Sequence, residues 1–526
     1  MERNPSGGPL LDHHHVVVFG GFVHLEIALT MNMLQNLHIL VLGLGDSGLA
    51  MVRWCVLQGA QVTVVDNRAQ PPGLLELQAQ GLNVNFKAQA FSADLVTEDV
   101  KAVFKSPGLS PAQAGPVWQA AQARGLWVGT ELSLFAHALQ QLKETQAYQP
   151  QVLAITGTNG KTTVTSLTGL LVARAGRKVA VAGNIGPTLL DTLREQLSDL
   201  PEVWVLELSS FQLDGVDNFE PTAATVLNLT QDHLDWHDDM AAYGQAKARI
   251  WGPRSVGVLP RNDGVVMALW PTDSSDKKVP PRLRLCFGAD LPQAPGDFGL
   301  SLENGMRWLV RAAPTEEPVG KRGRVQDEAL HIQRLMPADA LRIRGEHNAL
   351  NALAALALAS TCCNSLAPLL HGLREYTGEA HRMSTVAIVN DITYVDDSKG
   401  TNVGATVAAI NSLGADGQLV VILGGDGKGQ DFAPLIQPVA EHVRAVVLIG
   451  QDAERLAQAL ASTGVPQHRA SDMAQAVALA TDAGQTGDIV LLSPACASLD
   501  MYSNYVARAQ AFTEAVESLS MMADQA

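Results

Sequence analysis

No stretch of this chain offers the roughly 20 uninterrupted apolar residues that a helix needs to cross a bilayer. The apolar run over residues 16–29 is broken by His24 and Glu26 and follows no basic segment, which also argues against a signal peptide. Cysteine is sparse. Cys55, Cys286, Cys362, Cys363 and Cys496 are scattered and lack the spacing of a zinc site or a disulfide framework, so a reducing cytoplasm is the expected compartment. Positive charge is in short supply as well: 37 Lys and Arg against 53 Asp and Glu give a formal net charge of −16. Such a field repels polyanions at long range, which disfavours nucleic acid or an anionic membrane as partner. An anionic substrate must then be held by local basic residues and backbone amides. Short internal repeats and low-complexity tracts are also missing.

What is present is length and apolar content. A chain of 526 residues exceeds a single core, and three domains are expected. With 47% hydrophobic and 17% charged residues, those cores need neither metal nor disulfide staples. Residues 1–32 are expected to lie outside the fold as an extension, the natural start being Met31 or Met33. The run His13-His14-His15 is too short for a tag or a metal site.

The first unit opens with the apolar run His38-Ile39-Leu40-Val41-Leu42, then Gly43-Leu44-Gly45-Asp46-Ser47-Gly48 and a helical stretch through Leu57. A second strand over 61–65 ends at Asp66. Taken alone this is a dinucleotide-binding fingerprint, in which glycines let the backbone approach phosphates and the acid accepts from a ribose hydroxyl. The second unit begins near Gly129. Its strand over 152–155 runs into Thr156-Gly157-Thr158-Asn159-Gly160-Lys161-Thr162-Thr163, followed by apolar residues at helical spacing. That is a phosphate-binding loop: amides at the helix start hold phosphate oxygens, Lys161 adds positive charge, and the Thr162 hydroxyl can ligate magnesium. A strand over 203–206 delivers Glu207 to the ligand edge of the sheet, and an apolar stretch over 226–230 delivers His233 to a similar place. Residues 255–337 are rich in Pro, Arg and Gly and are expected to form irregular strands and a variable insertion. A buried helix follows over 352–359, with Asn348 and Asn351 at its start able to face the nucleotide.

The third unit starts near His381-Arg382. Strands over 386–389, 419–423, 445–449 and 489–492 alternate with helices and indicate another parallel sheet. Polar clusters recur at the strand ends: Asp396-Asp397-Ser398-Lys399-Gly400-Thr401-Asn402, Gly424-Gly425-Asp426-Gly427-Lys428-Gly429 and Ser493-Pro494-Ala495-Cys496-Ala497-Ser498. A phosphate loop flanked by two further ligand edges suggests three bound components. Phosphoryl transfer to a carboxylate followed by attack of an amine suits that arrangement, with lysines and magnesium neutralising charge.

The motifs Gly157-Thr158-Asn159-Gly160-Lys161-Thr162, Glu207-Leu208-Ser209-Ser210-Phe211-Gln212, Asn228-Leu229-Thr230-Gln231-Asp232-His233, Gly345-Glu346-His347-Asn348-Ala349-Leu350-Asn351 and His381-Arg382 resemble, in order, the signature series of the Mur ligase family. The resemblance spans about residues 37–515. It implies an α/β fold in three domains: Rossmann-like over 33–129, a central P-loop ATPase-type α/β domain over 130–379, and Rossmann-like over 380–526. It implies a monomeric, ATP-dependent enzyme of peptidoglycan synthesis, cell shape and division. The strand-end clusters of the third unit narrow this to ligation of D-glutamate to UDP-N-acetylmuramoyl-L-alanine through an acyl phosphate. Carried over residue by residue, Gly157, Thr158, Asn159, Gly160, Lys161, Thr162, Thr163, Asn348, Arg382 and Asp397 bind ATP. Thr162 and Glu207 hold one magnesium ion, and His233 with a carbamylated Lys247 helps hold a second. By itself Lys247 reads as a solvated helix lysine; a carbamate would turn that cation into a metal-binding anion. Ser47, Asp66, Asn67, Arg68, Ser106, Pro107, Gly108 and Asn184 line the UDP-substrate site, and Thr401, Lys428, Ser498 and Tyr505 surround D-glutamate. Asp46 beside a pyrophosphate departs from the pattern, as does tyrosine rather than phenylalanine at 505.

Rival readings remain open at this point. A nicotinamide-dependent dehydrogenase would use Gly43 to Gly48 with Asp66 but leaves the phosphate loop idle. A folylpolyglutamate-synthase-like ligase shares loop and chemistry, and a noncatalytic nucleotide-gated module would bind ATP without consuming it.

Overall fold

The computed structural model describes residues 34–272, 280–313, 330–415 and 417–523. The expectation for residues 1–32 lies outside these, as does part of that for 255–337. The described residues divide into two compact units, one of residues 34–151, 182–204 and 214–219 and the other of residues 152–181, 205–213 and those described from 220 to 523.

The first unit holds β1 (His38–Leu42), β2 (Gln61–Asp66), β3 (Val84–Ala88), β4 (Val100–Lys105) and β5 (Trp127–Gly129) in the order β3-β2-β1-β4-β5. All four pairings are parallel. Strand order reverses between β1 and β4, and such a switch point opens a crevice at the carboxyl ends of the strands. The helix Asp46–Leu57 starts there. Its approach to the turn demands glycine at 48, where a Cβ would stand 2.1 Å from the Gly43 carbonyl oxygen.

A second sheet has six strands, β6 (Gln151–Thr156), β7 (Val179–Gly183), β8 (Val203–Glu207), β9 (Ala223–Val226), β10 (Val256–Pro260) and β11 (Arg284–Phe287), ordered β11-β10-β9-β6-β8-β7. Two expectations change here. Of the stretch over 226–230 only Val226 is in a strand, Ala223–Val226; beyond it Leu227 N donates to Thr156 O and Asn228 O accepts from Thr158 N, so the backbone follows the phosphate loop. The region from 255 onward is not wholly an insertion. Its run Val256-Gly257-Val258-Leu259 is a core strand pairing in parallel with both β9 and β11. Beyond it lies a small antiparallel sheet of β12 (Phe298–Glu303), β13 (Met306–Ala312) and β14 (Ile332–Pro337). The helix Glu346–Ser360 buries every residue from Ala352 to Ala359, as the apolar run requires.

The third large sheet contains β15 (Ser384–Val389), β16 (Ile392–Asp396), β17 (Leu419–Gly424), β18 (Val443–Ile449), β19 (Gln467–Arg469) and β20 (Ile489–Leu492), ordered β15-β16-β20-β17-β18-β19. Leu419 to Leu423 are fully buried, the mark of a strand covered on both faces. The sheet is parallel except at its edge, where β15 runs antiparallel to β16. The hairpin turns on Asn390 and Asp391, both at positive φ (50° and 59°), a conformation these two residue types tolerate. Among the described residues no helix is long and apolar enough to cross a membrane.

Candidate active site

The phosphate loop joins β6 to the helix Lys161–Arg174. Asparagine side chains fix its shape. Asn159 N donates to Asn228 Oδ1 at 2.8 Å, and Asn228 Nδ2 returns a bond to Asn159 O at 3.0 Å. Thr158 Oγ1 donates to Thr230 O at 3.1 Å while accepting from Thr230 N at 3.0 Å. With Thr158 N and Asn159 N both donating to Asn228, the amides placed for an anion are those at the start of the following helix. Gly160 lies at φ 82°, and a Cβ there would stand 2.6 Å from Asn351 Oδ1. Gly160→Ala is therefore expected to cost about 1–3 kcal/mol from the left-handed backbone and to raise the KM for ATP, read by thermal unfolding and steady-state kinetics.

Two lysines converge on the carbonyl of Gly157. Lys161 Nζ donates to Gly157 O at 3.0 Å and Thr158 O at 2.9 Å, and Lys247 Nζ donates to Gly157 O at 2.9 Å. The structure corrects the solvated reading of Lys247, whose side chain is buried (1% exposed) with its ammonium 4.6 Å from the centre of the Tyr243 ring. Burial first, and then the neighbouring Lys161, hold its pKa well below the ordinary lysine value. Burial also lowers Lys161, opposed by Glu207 and Asp232. A protein with net charge −16 thus concentrates Lys161, Lys247, Lys428, Lys399 and Arg382 around one loop.

Glu207, at the end of β8, is buried, and so is Thr162, whose Oγ1 lies 3.3 Å from Arg382 Nη2. His233 sits at φ 54° against the Phe211 ring, 4.7 Å between centroids, and burial pushes its pKa down to about 4. The imidazole is neutral at pH 7 and able to ligate. Among the described residues no group of three or more His, Cys, Asp and Glu side chains is placed to hold a metal. A hydroxyl and a carboxylate beside a phosphate loop nevertheless suit magnesium, which takes few protein ligands and relies on phosphate and water for the rest. An unmodified Lys247 does not suit it, since an amine bonded to a carbonyl is no anionic ligand.

A cavity of about 360 Å³ opens beside the loop. Six of the expected ATP residues line it: Asn159, Gly160, Thr163, Asn348, Arg382 and Asp397. Burial raises the Asp397 carboxyl to about 7, although Ser493 Oγ donates to it at 2.7 Å. Sequence reasoning assigned no role to Asn262, Phe287 or Ile343, which also line the cavity; nothing local marks them, because long-range packing brings them there.

The strand-end clusters after β16, β17 and β20 are tied into one edge. Asp426 and Ala497 exchange backbone hydrogen bonds, and Ala495 N donates to Gly400 O. Ser498 is buried and Thr401 half-buried on this edge. Lys428 Nζ reaches Asp232 Oδ1 at 3.2 Å. Tyr505 lies under Lys399, whose Nζ is 3.3 Å from the phenol oxygen and 4.8 Å from the ring centre. None of Thr401, Lys428, Ser498 and Tyr505 lines the cavity described above.

In the first unit, Ser47, Asp66, Ser106, Pro107 and Gly108 stand at or just beyond the carboxyl ends of β1, β2 and β4, with Asn67 and Arg68 exposed beside Asp66. Ser106 Oγ donates to Gly43 O at 3.0 Å. Asp66 is not free for a ribose. Its Oδ2 accepts from Leu44 N at 2.8 Å and Arg68 Nη2 at 2.8 Å, and its Oδ1 accepts from Arg68 N and Nε, both at 2.9 Å. Burial alone would raise its pKa, but these bonds hold it below the usual carboxylate value. Asp46 opens the following helix and is exposed, so its charge is solvated. Asn184 is exposed on the turn after β7.

Three domain families match the chain in order. These are the Mur ligase MurD-like N-terminal domain over residues 37–129, the Mur ligase middle domain over 155–273, and the Mur ligase glutamate ligase domain over 381–496. A UDP-N-acetylmuramoylalanine–D-glutamate ligase from Albidiferax ferrireducens is 58% identical, the match covering 94% of this chain and 99% of the relative. One of the same name from a Polaromonas species is 50% identical, covering 93% and 99%. Among solved structures, the MurF ligase from Thermotoga maritima in complex with ADP shares the fold at a TM-score of 0.55 and 15% identity, covering 94% of this chain and 97% of that one.

Proposed function

The chain belongs to the Mur ligase family, and from that premise we infer that it joins D-glutamate to UDP-N-acetylmuramoyl-L-alanine at the expense of ATP, in peptidoglycan synthesis. The observation that carries the mechanism is a single cavity lined both by the phosphate loop and by Arg382 and Asp397 at the head of the last sheet. ATP lies there. The alanyl carboxylate attacks the γ-phosphorus, the bond to ADP breaks, and an acyl phosphate forms. The amine of D-glutamate then attacks the carbonyl carbon, phosphate leaves with the C–O bond, and the ammonium's surplus protons pass to solvent.

Lys161 and the loop amides hold the phosphates while charge shifts among their oxygens. Arg382 reaches the same phosphates, and Asn348 and Asp397 orient the nucleoside. Magnesium, held by Thr162 and Glu207 with a second ion at His233 and a carbamylated Lys247, would supply charge neutralisation on the triphosphate. Ser47, Asn67, Arg68, Ser106, Pro107, Gly108 and Asn184 bind the UDP substrate, and Asp66 lines the same site by holding Arg68 in place. Thr401, Lys428, Ser498 and Tyr505 bind D-glutamate. Three domains, 33–129, 130–379 and 380–526, carry these sites, and the positions of the three family matches support that division. The protein works as a monomer in the cytoplasm, to be checked by sedimentation and by localisation of a tagged chain.

The deciding assay supplies ATP, magnesium, UDP-N-acetylmuramoyl-L-alanine and one amino acid at a time, and measures phosphate and amide product. D-glutamate alone should support both; product with a folate in place of the UDP-sugar would overturn the reading. Lys428→Ala should raise the KM for D-glutamate by about 10- to 100-fold, the worth of a hydrogen bond to a charged group, with a smaller change in kcat. An unchanged KM would remove Lys428 from the amino-acid site.

A further inference from the structure

Asn402 has no part in the mechanism so far, yet it is 4% exposed and both polar atoms of its carboxamide make hydrogen bonds. Its Oδ1 caps the helix Val403–Gly414 by accepting from Ala405 N at 2.9 Å. That bond decides which way the amide faces, because the oxygen must point to the helix start. The amide nitrogen is thereby aimed at the phosphate loop, where Nδ2 donates to Asn159 Oδ1 at 2.9 Å. Asn159 Nδ2 returns a bond to Asn402 Oδ1 at 3.2 Å. Two carboxamides 243 residues apart in sequence thus form a reciprocal pair. Asn159 is the loop residue whose backbone N–H and C=O are both held by Asn228, so moving its side chain moves the loop.

The far side of the pair is equally connected. Thr401 precedes Asn402 directly, and Val403 N donates to Gln430 Oε1 at 2.9 Å. Gln430 Nε2 in turn donates to Gly427 O at 3.0 Å, beside Lys428. The first helical turn also packs closely on Asn159, since a Cβ on Gly404 would lie 2.9 Å from Thr230 Oγ1 and 3.3 Å from Asn159 Nδ2.

We propose that Asn402 is a positioning residue that clasps the phosphate loop to the segment bearing Thr401 and Lys428, so that nucleotide and amino acid each tighten the other's binding. This rests on the placement of ATP at the loop and of D-glutamate beside Thr401. Coupling of this kind is reciprocal, because a ligand that orders one side of the clasp orders the other.

The test titrates a nonhydrolysable ATP analogue with magnesium into the full chain, UDP-N-acetylmuramoyl-L-alanine being present throughout, with and without saturating D-glutamate. In the wild type D-glutamate should tighten the analogue by about tenfold. Asn402→Ser keeps an oxygen for the helix cap but cannot reach Asn159, and should cut that factor to below about twofold. Asn159→Ser should do the same with the cap untouched, and the double variant should lose nothing more. Thermal unfolding identifies a variant that fails to fold, in which case the other variant carries the test. Wild-type coupling in a folded Asn402→Ser protein overturns the clasp. So does a wild type that forms product with D-glutamate yet shows no coupling, an outcome that leaves the ligase reading standing. A wild type that makes no product with D-glutamate removes that reading, and the clasp with it.

Discussion

Lys161→Ala is expected to lower kcat by about 10²–10³-fold, the typical cost of removing one preorganised charge aimed at a transition state. The side chain is folded onto the carbonyls of Gly157 and Thr158, so it is already held over the loop when phosphate arrives. It needs no reorganisation at the moment of transfer. Alanine removes the charge and also takes its donor from the Thr158 carbonyl, while Gly157 O keeps the bond from Lys247. Because the expected UDP-substrate residues before the loop belong to the first unit and Lys161 to the second, affinity for that substrate should change by less than about threefold, the scatter usual for independent sites. Acyl phosphate can be trapped by reduction and counted, and substrate affinity measured by calorimetry. Parallel loss of both would argue against separate pockets.

Lys247→Ala should be nearly as damaging, at about 10²-fold in kcat, and its rescue is the more informative result. Burial and then Lys161 hold the pKa of this amine well below its ordinary value, which favours the unprotonated form, and only that form can attack carbon dioxide. As the N–C bond forms, one C=O π bond of carbon dioxide opens onto oxygen, the nitrogen gives up one proton to solvent, and the neutral amine becomes a carbamate anion. Small carboxylates such as formate or acetate should then restore part of the alanine variant's activity. The intact protein should carry the extra mass of one carbon dioxide in bicarbonate buffer. No rescue together with no added mass would leave Lys247 as a fixed cation and remove it from the magnesium site.

How legible such residues are depends on how local their setting is. The glycine turn after β1 and the phosphate loop after β6 were readable because strand, turn and helix are contiguous and each imposes its own period on the sequence. Glu207 was readable because a strand end fixes where a side chain goes. Lys247 was not: in Tyr243-Gly244-Gln245-Ala246-Lys247 nothing local distinguishes a solvated lysine from a buried one, and contact with Tyr243 and Gly157 is made only by the folded chain. The run Val226-Leu227-Asn228-Leu229-Thr230 misled because alternating apolar and polar residues describe an extended backbone whether it pairs in a sheet or wraps a loop. Val256 to Leu259 hid among Pro- and Arg-rich neighbours, although four apolar or small residues suffice for a buried strand. Asn402 was quoted within its motif without a role, since its partner lies in another part of the chain.

The self-paired acid after β2 has a consequence for ligand choice. Asp66 arrives with its own counter-ion two residues away and with a turn amide besides, so an incoming hydroxyl finds its oxygens already taken. A nicotinamide dinucleotide seeking that acid would have to evict a guanidinium and offer only a neutral donor in exchange, a poor trade electrostatically. The bonds from Leu44 N and Arg68 would thus weigh against that class of nucleotide with no bulky side chain needed to bar the way.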